Sequence, residues 1–183
     1  MTSPLLSPRP LHLLAYGTYL GSTFFQTFIG GTTAFRVLPR PQFAELQAAV
    51  FPVYFALQTA CPVILALTFP PRTTPVVANA HATPSDSGLA ALLLPGNRYG
   101  ALLPLGTILV TSVLNLAWIG PATSTCKREM KHQETRDGKK SHDNGPQSKE
   151  MEALKKKFGM LHGVSNLLNL VGFVAGVAYA WAL

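Results

Sequence analysis

The sequence predicts an all-α fold: a four-helix transmembrane bundle in a polytopic integral membrane protein. Three observations predict it. The chain of 183 residues is 48% hydrophobic and only 13% charged, a balance unusual in a soluble domain of this size. Ten of its fifteen Lys and Arg residues, and six of its eight acids, lie between Lys127 and Lys157; a soluble domain would scatter them over its surface. Hydrocarbon about 30 Å thick takes roughly 20 apolar residues at ~1.5 Å rise each, and four such windows are free of Asp, Glu, Lys and Arg.

The expected spans are 11–35, 48–69, 99–120 and 160–183 in one membrane domain, 1–183. The first could pass for a signal peptide, because Arg9 precedes it. Its length, its interruption by Thr, Ser, Gln and Tyr, and the lack of a clear small-x-small cleavage site make it a retained helix instead. Four spans put both termini on one side. The loop 36–47 carries Arg36 and Arg40, and the charged loop 121–159 carries ten basic residues, against Arg9, Arg72 and Arg98 on the other face. The positive-inside rule therefore places both odd-numbered loops in the cytoplasm and both termini in the lumen or outside, in the endomembrane system or plasma membrane.

Segment 70–98 is rich in Pro, Thr, Ala and Ser and reads as an irregular linker. In the charged loop, 126–136 and 148–158 are rich in Lys, Glu, Gln and Met, and the polar breaker 137–146 separates them. That pattern predicts helical extensions of spans three and four joined by a flexible tip. Lys155, Lys156 and Lys157 serve first as a topology signal and second as a contact for anionic lipids. Nucleic acid is a poor partner, because these basic residues alternate with acids and lack interleaved aromatics. Cys61 and Cys126 are expected as free thiols.

Polar side chains inside spans face other helices or a cavity. Thr18, Ser22, Gln26 and Gly30 recur every four residues in span one, and Gly17 with Gly21 makes a GxxxG suited to a homo-oligomer. Gln26, Tyr54, Gln58, Asn115, His162, Ser165, Asn166 and Asn169 form the expected polar core, which serves helix packing first and a solute pathway second. His162 is the clearest titratable candidate near a span. It could ligate copper or haem, but the one other His in a span window, His12, lies at the opposite interface, so no metal or cofactor is expected. Paired carboxylates, G-x-S-x-G, HExxH and a phosphate-cradling Gly loop are all missing, so no enzyme is expected.

The densest local pattern is a cytoplasmic elbow of Pro39, Arg40, Phe43, Gln47, Phe51, Pro52 and Phe55. Pro39 should end span one, Arg40 should meet lipid phosphates, and Phe43, Leu46, Phe51 and Tyr54 should form an interfacial apolar face. Pro52 is tolerated near the start of span two, whereas Pro62 should bend it and free a carbonyl.

Three blocks carry a family likeness: Phe35-Arg36-Val37-Leu38-Pro39-Arg40 with Phe51-Pro52-Val53-Tyr54-Phe55; Asn115-Leu116 with Gly120-Pro121-Ala122-Thr123; and Phe158-Gly159-Met160-Leu161-His162-Gly163-Val164-Ser165 with Asn169-Leu170. In these the chain resembles the transmembrane protein 205 family of eukaryotic four-span proteins, with loops longer than the family's minimum, as in fungal members. The resemblance implies a four-helix membrane bundle and no established reaction. The expected role is non-enzymatic, in membrane organisation, trafficking or small-solute handling. A transporter or efflux component using the polar stripe, and a haem- or copper-binding protein through His162, are the alternatives.

Overall fold

The computed structural model describes residues 8–70 and 87–183. All regular structure among them is helical, in four long columns. The first column begins as the α-helix Pro8–Phe24. It passes without a break through a π-helical turn, Phe25–Gly30, into the α-helix Gly31–Val37. A residue before proline is driven out of the helical region, and Leu38 accordingly sits at ψ 141° ahead of Pro39. The second column, the α-helix Arg40–Leu67, starts at once. The connection is therefore Leu38–Pro39 alone, shorter than the loop read from the sequence at 36–47, because Pro41 suits the first turn of a new helix. Pro52 and Pro62 both lie inside that continuous helix.

The third column, Pro95–Asp137, contains π-helical turns at Arg98–Leu102 and Asn115–Ile119. The fourth is the helix Lys149–Ala182, mostly α-helical from Lys149 to Tyr179. The second, third and fourth columns are long and apolar enough to cross a membrane. The first adds one more apolar helix, diluted by Thr, Ser, Gln and Gly. Tyr99 and Trp181 are 85% and 82% exposed at one end, and Trp118 is 67% exposed towards the other. Tyr99 and Trp118 stand about 28 Å apart at 1.5 Å per residue, close to one hydrocarbon thickness and in keeping with aromatic belts at both interfaces.

The buried core sits at the end that holds the start of the first column, where Tyr19, Leu65, Phe69, Leu92, Ile108 and Tyr179 pack together. Leu92 belongs to a short helix, Gly88–Leu92, in the segment expected as an irregular linker. Leu89–Leu94 supplies enough apolar surface to fold back onto the second column, and Asn97 locks it by donating to the Ala91 carbonyl at 2.7 Å. The rest of that Pro-rich stretch, 71–86, lies outside the described residues.

At the opposite end, Gly120–Asp137 and the start of the fourth column form a helical hairpin beyond the spans. Its first helix stops at Gly138, whose φ of 62° is a left-handed conformation glycine adopts without steric cost. The second helix is capped by Ser148, whose hydroxyl accepts from the Met151 N–H at 3.2 Å and donates to Asp137 at 2.6 Å. Ser148→Ala should cost about 1 kcal/mol locally, and faster amide exchange at Met151 is the readout. Cys126 and Met151 are fully buried between the two helices, and both cysteines are free.

Candidate functional site: the polar interior of the bundle

A Cβ placed on Gly172 would meet the Thr111 and Tyr19 hydroxyls at 3.0 Å each. The first, third and fourth columns therefore share a depth at this point. Four residues further along the parallel first and third columns come Thr23 and Asn115, and here the interior turns polar. Thr23 donates to the Gln58 side-chain oxygen at 2.8 Å, and the Gln58 amide donates to Ser22 at 2.8 Å. The glutamine thus has both ends engaged by one helix.

Asn115, at 0% exposure, reaches the fourth column through long bonds from Nδ2 to the Ser165 carbonyl at 3.4 Å and the Asn169 side chain at 3.5 Å. Its Oδ1 is buried with no hydrogen-bond partner, and the Tyr54 hydroxyl is buried near the Thr23 and Thr27 hydroxyls without a well-formed hydrogen bond to either. Leaving such a group unpaired costs about 1–3 kcal/mol. The layer therefore presents one free acceptor and one underused phenolic group, and among the described residues no ionised side chain.

Two π-helical turns border this layer at matching depth, Phe25–Gly30 in the first column and Asn115–Ile119 in the third. A π turn carries an extra residue and resets which side chains face inward, and such turns are frequent at functional sites. Within the first of them, Gln26 donates to Gln47 at 3.2 Å. Gln47 was placed in the elbow by sequence, yet it is 5% exposed and extends the polar interior.

The other expected core residues separate. Ser165 contributes its backbone carbonyl and Asn169 its side chain, whereas His162 and Asn166 are exposed on the outer surface of the fourth column. The His162 ring stacks on Phe158, 5.9 Å between centroids and 5° from parallel, and Lys127 approaches the same Phe158 ring at 5.6 Å. Burial lowers the pKa of the Lys127 ammonium, which lies beyond the spans. His162 and Arg40 share one end of the bundle. Among the described residues no three His, Cys, Asp or Glu side chains group to hold a metal ion.

The elbow residues form the first turns of the second column. Arg40 lies over the Phe35 ring at 3.9 Å, Phe35 meets Phe43 edge-on at 5.3 Å, and Phe51 stacks on Phe55 at 5.6 Å. Pro52 is exposed beside them.

Sequence reasoning placed His12 at the interface opposite His162 and gave it no part in the core, yet it is 2% exposed. Its Nδ1 is 2.9 Å from the Thr68 hydroxyl and its Nε2 is 3.1 Å from the Tyr179 hydroxyl. Thr68 spends its proton on the Ile64 carbonyl at 2.7 Å, so it accepts from Nδ1–H, and Nε2 pairs with the Tyr179 hydroxyl. His12 thus ties the first, second and fourth columns together. The available signal was spacing: His12, Tyr16, Tyr19 and Thr23 lie on one helical face.

Residues 14–132 match the family model described as a domain of unknown function, DUF4149. The chain is also similar to the Xanthocillin biosynthesis cluster protein D of Aspergillus fumigatus, with 29% identity over 174 residues, covering 95% of this chain and 87% of that protein. No solved structure matches.

Proposed function

The chain belongs to the DUF4149 family, and from that premise we propose that it is a non-enzymatic multi-pass membrane protein that handles a small neutral solute within the bilayer. The observation that carries this is the mid-bundle layer in which Asn115 Oδ1 is buried without a partner and the Tyr54 hydroxyl is buried with only the Thr23 and Thr27 hydroxyls near it. Such groups are costly in hydrocarbon, and a neutral molecule with one acceptor and one donor relieves both. The absence of charge in the layer disfavours an ion as the cargo. The relative named for a biosynthesis cluster supports a setting in which small molecules are made.

In this reading the finer likeness is to fungal members of the transmembrane protein 205 family. The protein sits in the endomembrane system or plasma membrane, with both termini lumenal or extracellular and the charged hairpin cytoplasmic. Ten basic residues on that hairpin support the orientation. Lys155, Lys156 and Lys157 at its base support a contact with anionic lipids.

The test is removal of the coding sequence from its host, followed by comparison of small molecules inside and outside the cells. Complementation with the native chain should restore the profile, and a folded chain carrying Tyr54→Phe and Asn115→Leu should not. Full restoration by the double variant would overturn the reading.

A further inference from the structure

We propose that the outer face of the fourth column is the interface for a second copy of this chain, with Asn166 pairing against Asn166 of that copy. Only 11% of this column's most apolar stretch is buried, against 33% and 39% in the second and third. The uncovered face is ordered. Gly159, Gly163, Asn166 and Leu170 follow spacings of four, three and four residues, the 3.5-residue repeat of paired helices; the next position, Phe173, packs on Phe24 and Phe28 of the chain's own first column, and Val177 returns to the open face a heptad after Leu170.

A Cβ added at Gly159 or Gly163 would meet nothing within 4 Å, so a neighbouring backbone can approach there. Leu170 and Val177 are 48% and 37% exposed on the same side. Asn166 is the second and independent observation. It lies six residues beyond Met160, where the fourth span is expected to begin, about 9 Å into a core of about 30 Å, deeper than its short side chain can reach back to interfacial water. Its side chain is exposed and makes no hydrogen bond with the described residues. A primary amide in hydrocarbon is driven to find a partner.

The chemistry selects a second copy. Two chains inserted the same way around a two-fold axis along the membrane normal bring each residue opposite itself at equal depth. A carboxamide is both donor and acceptor, so two of them satisfy each other, and Gly opposite Gly lets the backbones close. A different protein would need its own amide at that depth beside its own small residues. The Gly17 and Gly21 face of the first column is equally open, but no unpartnered amide lies along it.

The experiment is energy transfer between donor- and acceptor-labelled full-length chains in phosphatidylcholine vesicles, diluted with lipid. Transfer should persist on dilution for the native chain. Asn166→Leu and Gly163→Leu should each weaken association about tenfold, as expected from an interhelical bond of about 1–2 kcal/mol, and Asn166→Gln should restore most of it. Gly21→Leu should change nothing. Transfer that vanishes on dilution for the native chain, or that survives both fourth-column variants and is lost in Gly21→Leu, would overturn the proposal.

Discussion

Gly176→Leu should destabilise the bundle by about 3 kcal/mol or more, the upper range for forcing added volume into a filled core. A Cβ at this position would stand 2.6 Å from the Tyr19 ring, and the Tyr16 hydroxyl donates to the Gly176 carbonyl at 3.2 Å. A leucine would therefore push the first column off the fourth and strip Tyr19 of its place beneath Gly172. Unfolding in mixed detergent micelles, followed by far-ultraviolet circular dichroism, is the measurement. Gly17→Leu is the control, since nothing lies within 4 Å of a Cβ there. Equal midpoints for native and Gly176→Leu chains would mean that the two columns do not meet as described.

The second large effect is expected at the other end of the core. His12→Ala removes a buried ring packed edge-on to Phe69 at 6.3 Å and deletes the hydrogen bonds to Thr68 and Tyr179. The lost volume and the orphaned Tyr179 hydroxyl together should cost about 2–4 kcal/mol. His12→Phe, which refills the space without the bonds, should recover part of that loss. Trp181, two residues from Tyr179, reports the change through its emission. Indistinguishable stability of the native and His12→Ala chains would remove His12 from its role as the tie between three columns.

Helices were legible in the sequence because the bilayer imposes a length and a charge rule that composition alone displays. The four uncharged windows, the break at Pro39 and the helical arms of the charged hairpin follow from that rule and from proline geometry. The inward face was harder to read. Thr18, Ser22, Gln26 and Gly30 keep a four-residue spacing, yet Thr18 is exposed and Thr23 takes the inner position. The reason is the helical period: a strict four-residue spacing drifts about 40° per step against the 3.6-residue turn, and the inner line of this α-helix runs through His12, Tyr19 and Thr23 instead.

His162 and Asn166 show the complementary limit. Their polarity marks them as unusual in a span, but polarity is blind to which side of a helix its neighbours occupy. Asn115 and Gln58 were recognisable as buried amides, whereas His12 needed the distant partners Thr68 and Tyr179 before its burial made sense. The fold-back of Leu89–Leu94 escaped the proline-based reading for the same reason: its stability comes from a surface on the second column.

The hairpin beyond the spans is a ruler for electrostatics. Gly120–Asp137 is 18 residues long, about 27 Å of rise, which carries Lys139 and Lys140 several screening lengths from the lipid at a Debye length of about 8 Å. The lysines at its base, Lys155 to Lys157, stay within that range, and Lys157 is already partnered by Glu129 at 3.1 Å. Charge on one short hairpin is thereby sorted by height: the base feels the composition of the membrane, and the tip is insulated from it, free to respond to whatever approaches from the aqueous side.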